Sequence, residues 1–326
     1  MIIFNTSCSQ LLRAVRPPSS LKRYHSTTSS ILFLSPSLVP DPGGSAAGVR
    51  TVALMEHFAN HFSQVHYGTG VLATHNKHHK AEHDNNLSRV APSCTFHHLP
   101  PNRSKEMEHL LHQLPHLKAV VFDRYFAEEA YSFHLQKHRP DVVRIVDMQD
   151  MHSLRIGRQN LVEDWDRNKL AHDEITTPLD PSLLSKVMNY QPSLQHNGLI
   201  MKDESMASLK PQKNRGKKHN PHEIFMRELS ALHRSDLILV CSPTELDLLR
   251  DVYQLPSHKL CLAPFFVSPE DPMPLATKEV SFHDRQDFCT IGGFRHAPNI
   301  DSVKILKRHV WSQIRKKLPN ANLYIY

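Results

Sequence analysis

The sequence contains no apolar run that approaches the length of a membrane-spanning helix, so we expect no transmembrane segment. It is also poor in cysteine: five stand far apart in 326 residues, and none forms a CxxC pair. This spacing argues against a disulfide framework and against a thiolate zinc site. What remains is a chain of ordinary apolar content, 40%, which is long enough for two domains and a sizeable core.

The formal net charge of +7 is not spread evenly along the chain. Residues 1–30 contain four basic residues and no acid, and residues 202–222 contain six basic residues against two acids. These two segments account for the whole positive excess, which leaves the rest of the chain close to neutral. We therefore expect no nucleic-acid binding, because that function needs a basic surface on the folded body.

The first thirty residues are rich in arginine and serine. Residues 2–16 fit a short amphipathic helix that ends before Pro17 and Pro18. This composition is typical of a mitochondrial transit peptide and lacks the longer apolar centre of a secretory signal. The sequence thus predicts a mitochondrial location; the alternative is a disordered N-terminus on a cytoplasmic protein.

From residue 31 onward, short apolar runs alternate with segments of helical periodicity. Such runs are typical of strands buried on both faces, and their alternation with helices predicts an α/β fold with a doubly wound parallel sheet. The predicted strands are 31–35, 119–123, 142–148, 236–242 and 259–264. The predicted helices are 46–62, 103–113, 125–137, 148–163, 222–234 and 243–254.

Two segments interrupt this alternation. Residues 176–222 are polar, aperiodic and rich in proline and lysine, which predicts a disordered surface insertion in an N-terminal domain of residues 31–265. Residues 266–285 include a proline-rich stretch that is typical of an interdomain linker. Residues 286–326 then show the pattern of a strand, a helix and a strand, which we interpret as the start of an incomplete second Rossmann-like domain.

Gly43 and Gly44 lie in a turn of small residues between the first predicted strand and the first predicted helix. Bare backbone beside a helix N-terminus is a favourable place for a phosphate group. The turn is not a P-loop, since no Gly-Lys-Ser/Thr is present, and Ser45 stands where the dinucleotide fingerprint needs glycine. We predict a phosphate-binding turn; a plain turn that needs positive φ is the alternative.

Two polar clusters follow predicted strands at their carboxyl ends. Asp123 and Arg124 end one strand, and Asp150, His152 and Arg155 follow the next. Because ligands of open parallel sheets bind beyond the carboxyl ends of the strands, we expect both clusters to face one crevice. The alternative for the second cluster is a solvated helix start.

Glu128 and Glu129 lie in the helix that follows Asp123, and we interpret them as charges that compensate the helix dipole. The histidine-rich stretch 75–83 lacks a second ligand group at fixed spacing, so no metal site is expected there.

A second glycine pair, Gly292 and Gly293, also follows a predicted strand and precedes a helix. Arg295 adds a cation beside this pair, an arrangement that suits a diphosphate. A turn that packs between domains is the alternative interpretation.

Four stretches in this order resemble the GT-B glycosyltransferases of the family 4 type. They are "SPSLVPDPGGSAAGVRT", "VDMQDMHSLR", "RELSALHRSDLILVCSPTELDLL" and "IGGFRHAPNIDSVKILKRHVW". The resemblance covers residues 31–326 and implies a GT-B fold, in which the N-terminal domain mainly receives the acceptor and the C-terminal domain holds the nucleotide sugar. It also implies that Gly43 and Gly44 lie against the donor phosphates, His152 near the transferred sugar and Arg295 near the diphosphate.

The function that this resemblance implies is transfer of a sugar from a nucleotide-sugar donor to an acceptor, with retention. The candidate catalytic residues are His152 and Asp150. The candidate donor-binding residues are Gly43, Gly44, Gly292, Gly293 and Arg295. The candidate acceptor-binding residues are Asp123, Arg124 and Arg155. The nucleotide sugar is a co-substrate, and no metal or other cofactor is expected, because positive side chains and helix N-termini stabilise the departing phosphate.

The family's acidic donor-binding motif would fall after Tyr326, so we expect this chain to be an incomplete form of such an enzyme. The alternative is a non-catalytic GT-B remnant that binds a partner. A nicotinamide oxidoreductase is disfavoured by Ser45 and by the lack of an acid after the second strand, "VHYGTG". The sequence does not specify the sugar, the nucleotide base, the acceptor or the oligomeric state.

Overall fold

The structure is a computed structural model. It describes residues 29–36, 45–70, 94–170, 180–193, 220–265, 281–294 and 297–326. The chain forms two compact units, the first from residues 1–160 and 189–266 and the second from residues 161–188 and 267–326. Of the described residues, 161–170 and 180–188 are grouped with the second unit, whereas the sequence pattern places them in the N-terminal domain.

The regular elements alternate along the chain much as the sequence pattern predicts. The strands are β1 (Ser30–Ser35), β2 (Gln64–Thr69), β3 (Cys94–His98), β4 (Leu117–Asp123), β5 (Val143–Asp147), β6 (Leu237–Val240), β7 (Leu260–Leu262), β8 (Phe288–Thr290) and β9 (Leu323–Ile325). The helices are α1 (Ala46–Ala59), α2 (Ser104–Gln113), α3 (Arg124–His138), α4 (His152–Leu170), α5 (Pro181–Met188), α6 (Pro221–Arg234), α7 (Pro243–Asp247), α8 (Ala297–Ile305) and α9 (Trp311–Lys317). Wider π-type turns continue α7 through Val252 and join α8 to α9.

The first unit is built on a seven-stranded, all-parallel sheet with strand order β3-β2-β1-β4-β5-β6-β7. Helices cover both faces of this sheet, which confirms the predicted α/β class and parallel arrangement. Continuous apolar strands are favoured here because neither face of the sheet meets water.

The two faces of the sheet bury separate apolar layers. Alternate strand residues such as Ile31, Phe33 and Val121 pack against α1, and the residues between them, such as Leu32 and Val120, pack in the layer that holds α2, α3 and α6. This alternation follows from the period of two along a strand. Burial of both layers fixes the sheet between helices and so sets where the carboxyl ends of the strands lie.

Two predictions from the sequence pattern are wrong in detail. The strand β3 has no apolar run, because it lies at the sheet edge and its side chains are mostly half-buried or exposed, so the pattern missed it. Within the stretch 176–222, predicted as disordered, α5 is a helix that starts with Pro181 and buries Leu183. The Asp180 carboxylate accepts the Ser182 N–H at 2.8 Å, so a local cap supports this short helix.

The second unit contains a parallel pair of strands, β8 and β9, with Phe288 opposite Leu323. Helices α8 and α9 connect these strands, which confirms the predicted order of strand, helix and strand. Several large apolar side chains in this unit are exposed, including Ile291 at 82% and Tyr326 at 68%.

A membrane-spanning helix needs about 20 apolar residues in a row. Among the residues that the structure describes, no helix combines sufficient length with sufficient apolar character to cross a bilayer.

Candidate functional site

Polar residues end three neighbouring strands of the first unit. Ser35 is the last residue of β1, Asp123 of β4 and Asp147 of β5, and all three are buried. Asp123 and Asp147 are register partners. The order of strands along the chain reverses direction between β1 and β4, and open parallel sheets bind ligands at such a point. The topology therefore indicates these strand ends as the candidate site.

The carboxylate of Asp123 is the centre of a hydrogen-bond cluster. Its Oδ1 accepts from Arg124 Nε at 3.0 Å and from Gln149 Nε2 at 2.8 Å. Its Oδ2 accepts from Arg124 Nη2 at 3.0 Å and from Ser35 Oγ at 2.9 Å. A carboxylate offers about four lone-pair sites, so these four donors fill them. Asp123 therefore holds its neighbours in place, and a substrate would have to displace one of them to reach its oxygens.

Arg124 and Gln149 share an unusual backbone conformation. Each follows the end of a strand within two residues, and their φ angles are 68° and 61°. Non-glycine residues rarely adopt this left-handed region, and such strain is concentrated at functional sites. The Nη1 group of Arg124 and the Oε1 atom of Gln149 have no hydrogen-bond partner among the described residues. Both groups are thus oriented by Asp123 and remain available to a ligand.

Asp150, His152 and Arg155, predicted as one cluster, are brought together by the structure. His152 Nδ1 lies 3.1 Å from Asp150 Oδ1, and Arg155 Nε donates to Asp150 Oδ2 at 2.5 Å. Burial acts to raise the pKa of Asp150, but the hydrogen bonds from His152 and Arg155 outweigh this effect and hold the pKa at about 2. Asp150 is therefore an orienting negative charge and not a proton donor at neutral pH.

The ring of His152 packs against α3, the helix that begins at Arg124. Tyr125 and Phe126, which follow Arg124 in α3, contact the imidazole edge-on with ring centroids 5.6 and 6.1 Å away. Only the Nδ1 side of the ring has hydrogen-bond partners among the described residues. The free Nε2 is thus the atom of His152 that a substrate could use.

Two glutamates from other helices cap the start of α4. Glu228 accepts the N–H groups of His152 at 2.6 Å and Ser153 at 2.9 Å, and Glu245 accepts the N–H of Met151 at 3.1 Å. Burial raises the pKa of both carboxyl groups, and these backbone hydrogen bonds limit the rise. Since the protein's own carboxylates occupy these N–H groups, this helix end is closed to an anionic ligand.

Arg50 of α1 is buried beside Asp147. Its Nε and Nη2 donate to the carboxylate at 2.8–3.0 Å, and its Nη1 donates to the carbonyl of Ala263 at 2.6 Å. Burial raises the pKa of Asp147, and the Arg50 charge limits that rise. One side chain thus links α1, the end of β5 and the chain just after β7, which is a structural role.

A small cavity lies between α1 and the sheet, directly beside these strand ends. Its volume of about 10 Å³ corresponds to about one water molecule, so it does not hold a substrate. It is lined by Phe33, Leu34, Thr51, Leu54, Tyr67, Val121, Asp123 and Asp147.

In the second unit, Gly292 and Gly293 follow β8, as the sequence predicts. The φ angle of neither glycine is positive, so the turn does not need glycine for its backbone conformation. A Cβ on Gly293 would meet no atom of the described residues within 4 Å, and the carbonyl of Gly293 accepts from Asn299 Nδ2 at 3.0 Å. The backbone of Gly293 is therefore open to an approaching group.

Three predicted donor-binding residues, Gly43, Gly44 and Arg295, lie outside the described residues, and so does the histidine-rich stretch 75–83. Ser45, the first described residue after the glycine pair, caps α1 by accepting the Gly48 N–H at 3.0 Å. Within the part of the chain that the structure describes, no group of three or more His, Cys, Asp or Glu side chains is arranged to hold a metal ion.

The dipole interpretation of Glu128 and Glu129 is wrong, because α3 already starts at Arg124 and both glutamates lie beyond its first turn. The buried Glu128 pairs with Arg234, and Glu129 pairs with Arg227. Both arginines lie on α6, so these charges join two helices.

Sequence reasoning missed Arg50, Gln149, Glu228 and Glu245. Two of them were adjacent to predicted features: Gln149 lies between Asp147 and Asp150, and Arg50 lies one turn after Ser45. Glu245 lies three residues after Ser242, the spacing of a capping box, but this pattern predicts only a helix start and not a contact with Met151. Glu228 has no local signal, since an acid in the middle of an amphipathic helix is common on solvated faces.

No protein-family model matches this chain. None of the curated proteins matches it either. The functional interpretation therefore depends on the site and on the sequence resemblance alone.

Proposed function

We propose that the chain is a glycosyltransferase of GT-B type that moves a sugar from a nucleotide-sugar donor to an acceptor with retention. The observation that carries the proposal is the convergence of His152, Arg124 and Gln149 at the carboxyl ends of β4 and β5. Each of these side chains is oriented by a carboxylate and keeps one polar group available. Such an arrangement suits a substrate rich in hydroxyl groups, which both donate and accept hydrogen bonds.

In this proposal, Asp150 and Arg155 orient His152 beside the transferred sugar. Arg124 binds a hydroxyl or anionic group of the acceptor through Nη1, while Asp123 keeps the guanidinium in place. Gly43, Gly44, Gly292, Gly293 and Arg295 are proposed to bind the donor phosphates. No metal is required, because backbone N–H groups and arginine stabilise the leaving phosphate.

The test uses the purified full chain with UDP-glucose, UDP-N-acetylglucosamine and GDP-mannose, each with a mixture of sugar and lipid acceptors. We expect release of nucleoside diphosphate from one donor, unchanged by EDTA. The variant H152A should lower the rate about a hundred-fold or more. The matched control H112A alters an exposed histidine of α2, 77% exposed at its side chain, and should retain the rate.

A second candidate function is a non-catalytic binding protein. The exposed apolar side chains of the second unit, such as Ile291 and Phe294 at 82% and 47% exposure, favour this alternative because such surface is common at interaction sites. Absence of turnover with every donor, together with no saturation-transfer NMR signal from the nucleotide sugars, would favour binding over catalysis.

A further inference from the structure

We propose that Glu228 is a positioning residue for His152: it fixes the imidazole so that Nδ1 carries a proton and Nε2 is left for the substrate. Glu228 lies on α6, 76 residues after His152. The orientation of the His152 imidazole is inferred from contacts within the first unit alone. The use of Nε2 in sugar transfer rests on the proposed function.

The main chain of His152 is held by a two-point contact. The Oε1 atom of Glu228 accepts the His152 N–H at 2.6 Å, and Oε2 accepts the Ser153 N–H at 2.9 Å. Because both oxygens are used on successive residues, the carboxylate fixes the position and the direction of the first turn of α4. Hydrogen bonds to a charged carboxylate are shorter and stronger than neutral ones.

The surroundings of Nδ1 consist of oxygen acceptors. Asp150 Oδ1 lies at 3.1 Å, the Asp150 carbonyl at 3.3 Å and Glu228 Oε1 at 3.6 Å. A proton on Nδ1 is satisfied by these oxygens, whereas a lone pair there would face other lone pairs. The ring therefore takes the tautomer with hydrogen on Nδ1. In proteins, the hydrogen bond that one ring nitrogen makes commonly sets the tautomer of a histidine.

Glu228 and Asp150 act on the same nitrogen from different environments. The Asp150 side chain is 40% exposed and forms an ion pair with Arg155, which partly neutralises its charge. The Glu228 side chain is only 4% exposed. A buried charge is screened less by water, so Glu228 has a large influence on the ring despite its longer distance. Its position on α6 also makes the site depend on how α6 packs against the rest of the unit.

Glu245 offers a matched comparison. It caps the same helix end, through the Met151 N–H, and burial raises its pKa as it does for Glu228. Unlike Glu228, it forms no ion pair or hydrogen bond with the His152 ring, whose Nδ1 partners among the described residues are Asp150 and Glu228. Loss of either carboxylate should weaken the cap of α4, but only loss of the Glu228 carboxylate should change which nitrogen of the His152 ring carries the proton.

The experiment records long-range ¹⁵N–¹H ring spectra of the full chain labelled with ¹⁵N-histidine, at about pH 8.5, two units above the ordinary histidine pKa. The signal of His152 is assigned by its loss in H152Q. We expect a proton on Nδ1 in the wild type. In E228Q, the ratio of the Nδ1–H form to the Nε2–H form should fall about tenfold or more, and in E245Q it should not change.

Thermal unfolding of E228Q and E245Q measures the loss of capping, and both variants should melt at a lower temperature than the wild type. A change of tautomer ratio in E228Q alone then shows positioning of the ring and not capping. If E228Q does not fold, E228D keeps the charge but is one methylene too short for both N–H groups, and it should shift the tautomer ratio in the same direction. A wild-type ring protonated only on Nε2, or a ratio unchanged in the Glu228 variants, would overturn the proposal. Neither outcome depends on sugar transfer, so a lack of turnover would count against the proposed function alone.

Discussion

At the residue scale, the ion pair of Arg50 and Asp147 is fully buried and therefore sensitive to substitution. Removal of one partner leaves the other charge buried without compensation, which costs about 3–5 kcal/mol. We expect R50M to lower the free energy of unfolding by about this amount, because Asp147 is 2% exposed and cannot recover solvation. Urea unfolding followed by circular dichroism measures the change.

The control for this prediction is R250M, which removes an exposed arginine paired with Asp247 and Asp251. It should change stability little, since surface pairs are screened by solvent. The double variant R50M/D147L should recover much of the loss, because it removes both charges. Equal destabilisation by R50M and R250M would contradict the structural role of the buried pair.

His66 and His97 form a hydrogen-bonded pair across β2 and β3, with Nδ1 of His66 3.0 Å from Nε2 of His97. The Nε2 atom of His66 is buried and has no hydrogen-bond partner in the described part of the chain. Burial, and to a lesser extent the neighbouring His97, lowers the pKa of His66 to about 4, from an ordinary value of 6.5. The unfolded chain therefore binds more protons than the folded chain between these two pH values.

The expected consequence is acid sensitivity in this window. The contribution of His66 to stability is complete above about pH 6.5 and is lost as the pH falls towards 4. The variant H66F should therefore show a shallower decrease of the unfolding free energy over this range than the wild type. Denaturant unfolding at several pH values tests this, with H112A as the control that should keep the wild-type slope.

At the element scale, a glycine allows α4 to pack against the chain that follows α5. A Cβ at Gly157 would lie 2.0–2.3 Å from two ring carbons and the hydroxyl oxygen of Tyr190, which is too close unless the tyrosine moves. We expect G157A to destabilise the protein by about 1–3 kcal/mol, because the tyrosine ring must move.

The double variant tests the reason for this effect. In a Y190A background, G157A should become stabilising by about 0.5–1 kcal/mol, since alanine is the better helix former once the ring is absent. Thermal melts of the four variants give both values. The same sign in both backgrounds would show that the contact with Tyr190 is not the cause.

Helices α3 and α6 show how an element's role depends on its neighbour. Glu128 and Glu129 lie on α3, and their arginine partners lie about a hundred residues later on α6. Local sequence rules could only relate these glutamates to their own helix. The ion pairs form because both helices lie on the same face of the sheet.

At the scale of the whole molecule, the sequence of residues 1–30 predicts where in the cell the protein is found. We expect residues 1–30 fused to a fluorescent protein to move it to mitochondria, because the segment is basic, acid-free and fits an amphipathic helix. Replacement of Arg13, Arg16 and Arg23 by glutamine should abolish the import. A fusion that stays in the cytosol would disprove the transit peptide.

The predicted strands and helices correspond closely to β1, β4–β7 and to α1–α4, α6 and α7, because buried parallel strands leave apolar runs that are easy to detect. Asp123, Arg124, Asp150, His152 and Arg155 were also found from sequence, since each lies within eight residues of a strand end. The edge strand β3 and the short helix α5 were missed, because neither has a long apolar pattern.

The amino-acid sequence alone determined the α/β class, the order of the elements and the polar residues at the carboxyl ends of the strands, since these depend on local periodicity and on which faces must be buried. Only the tertiary structure decided that Asp123 holds Arg124 and Gln149, that Arg50 neutralises Asp147, and that Glu228 reaches the start of α4. These contacts join residues up to 97 positions apart. Such distances are set by strand order and helix packing, which local patterns do not encode.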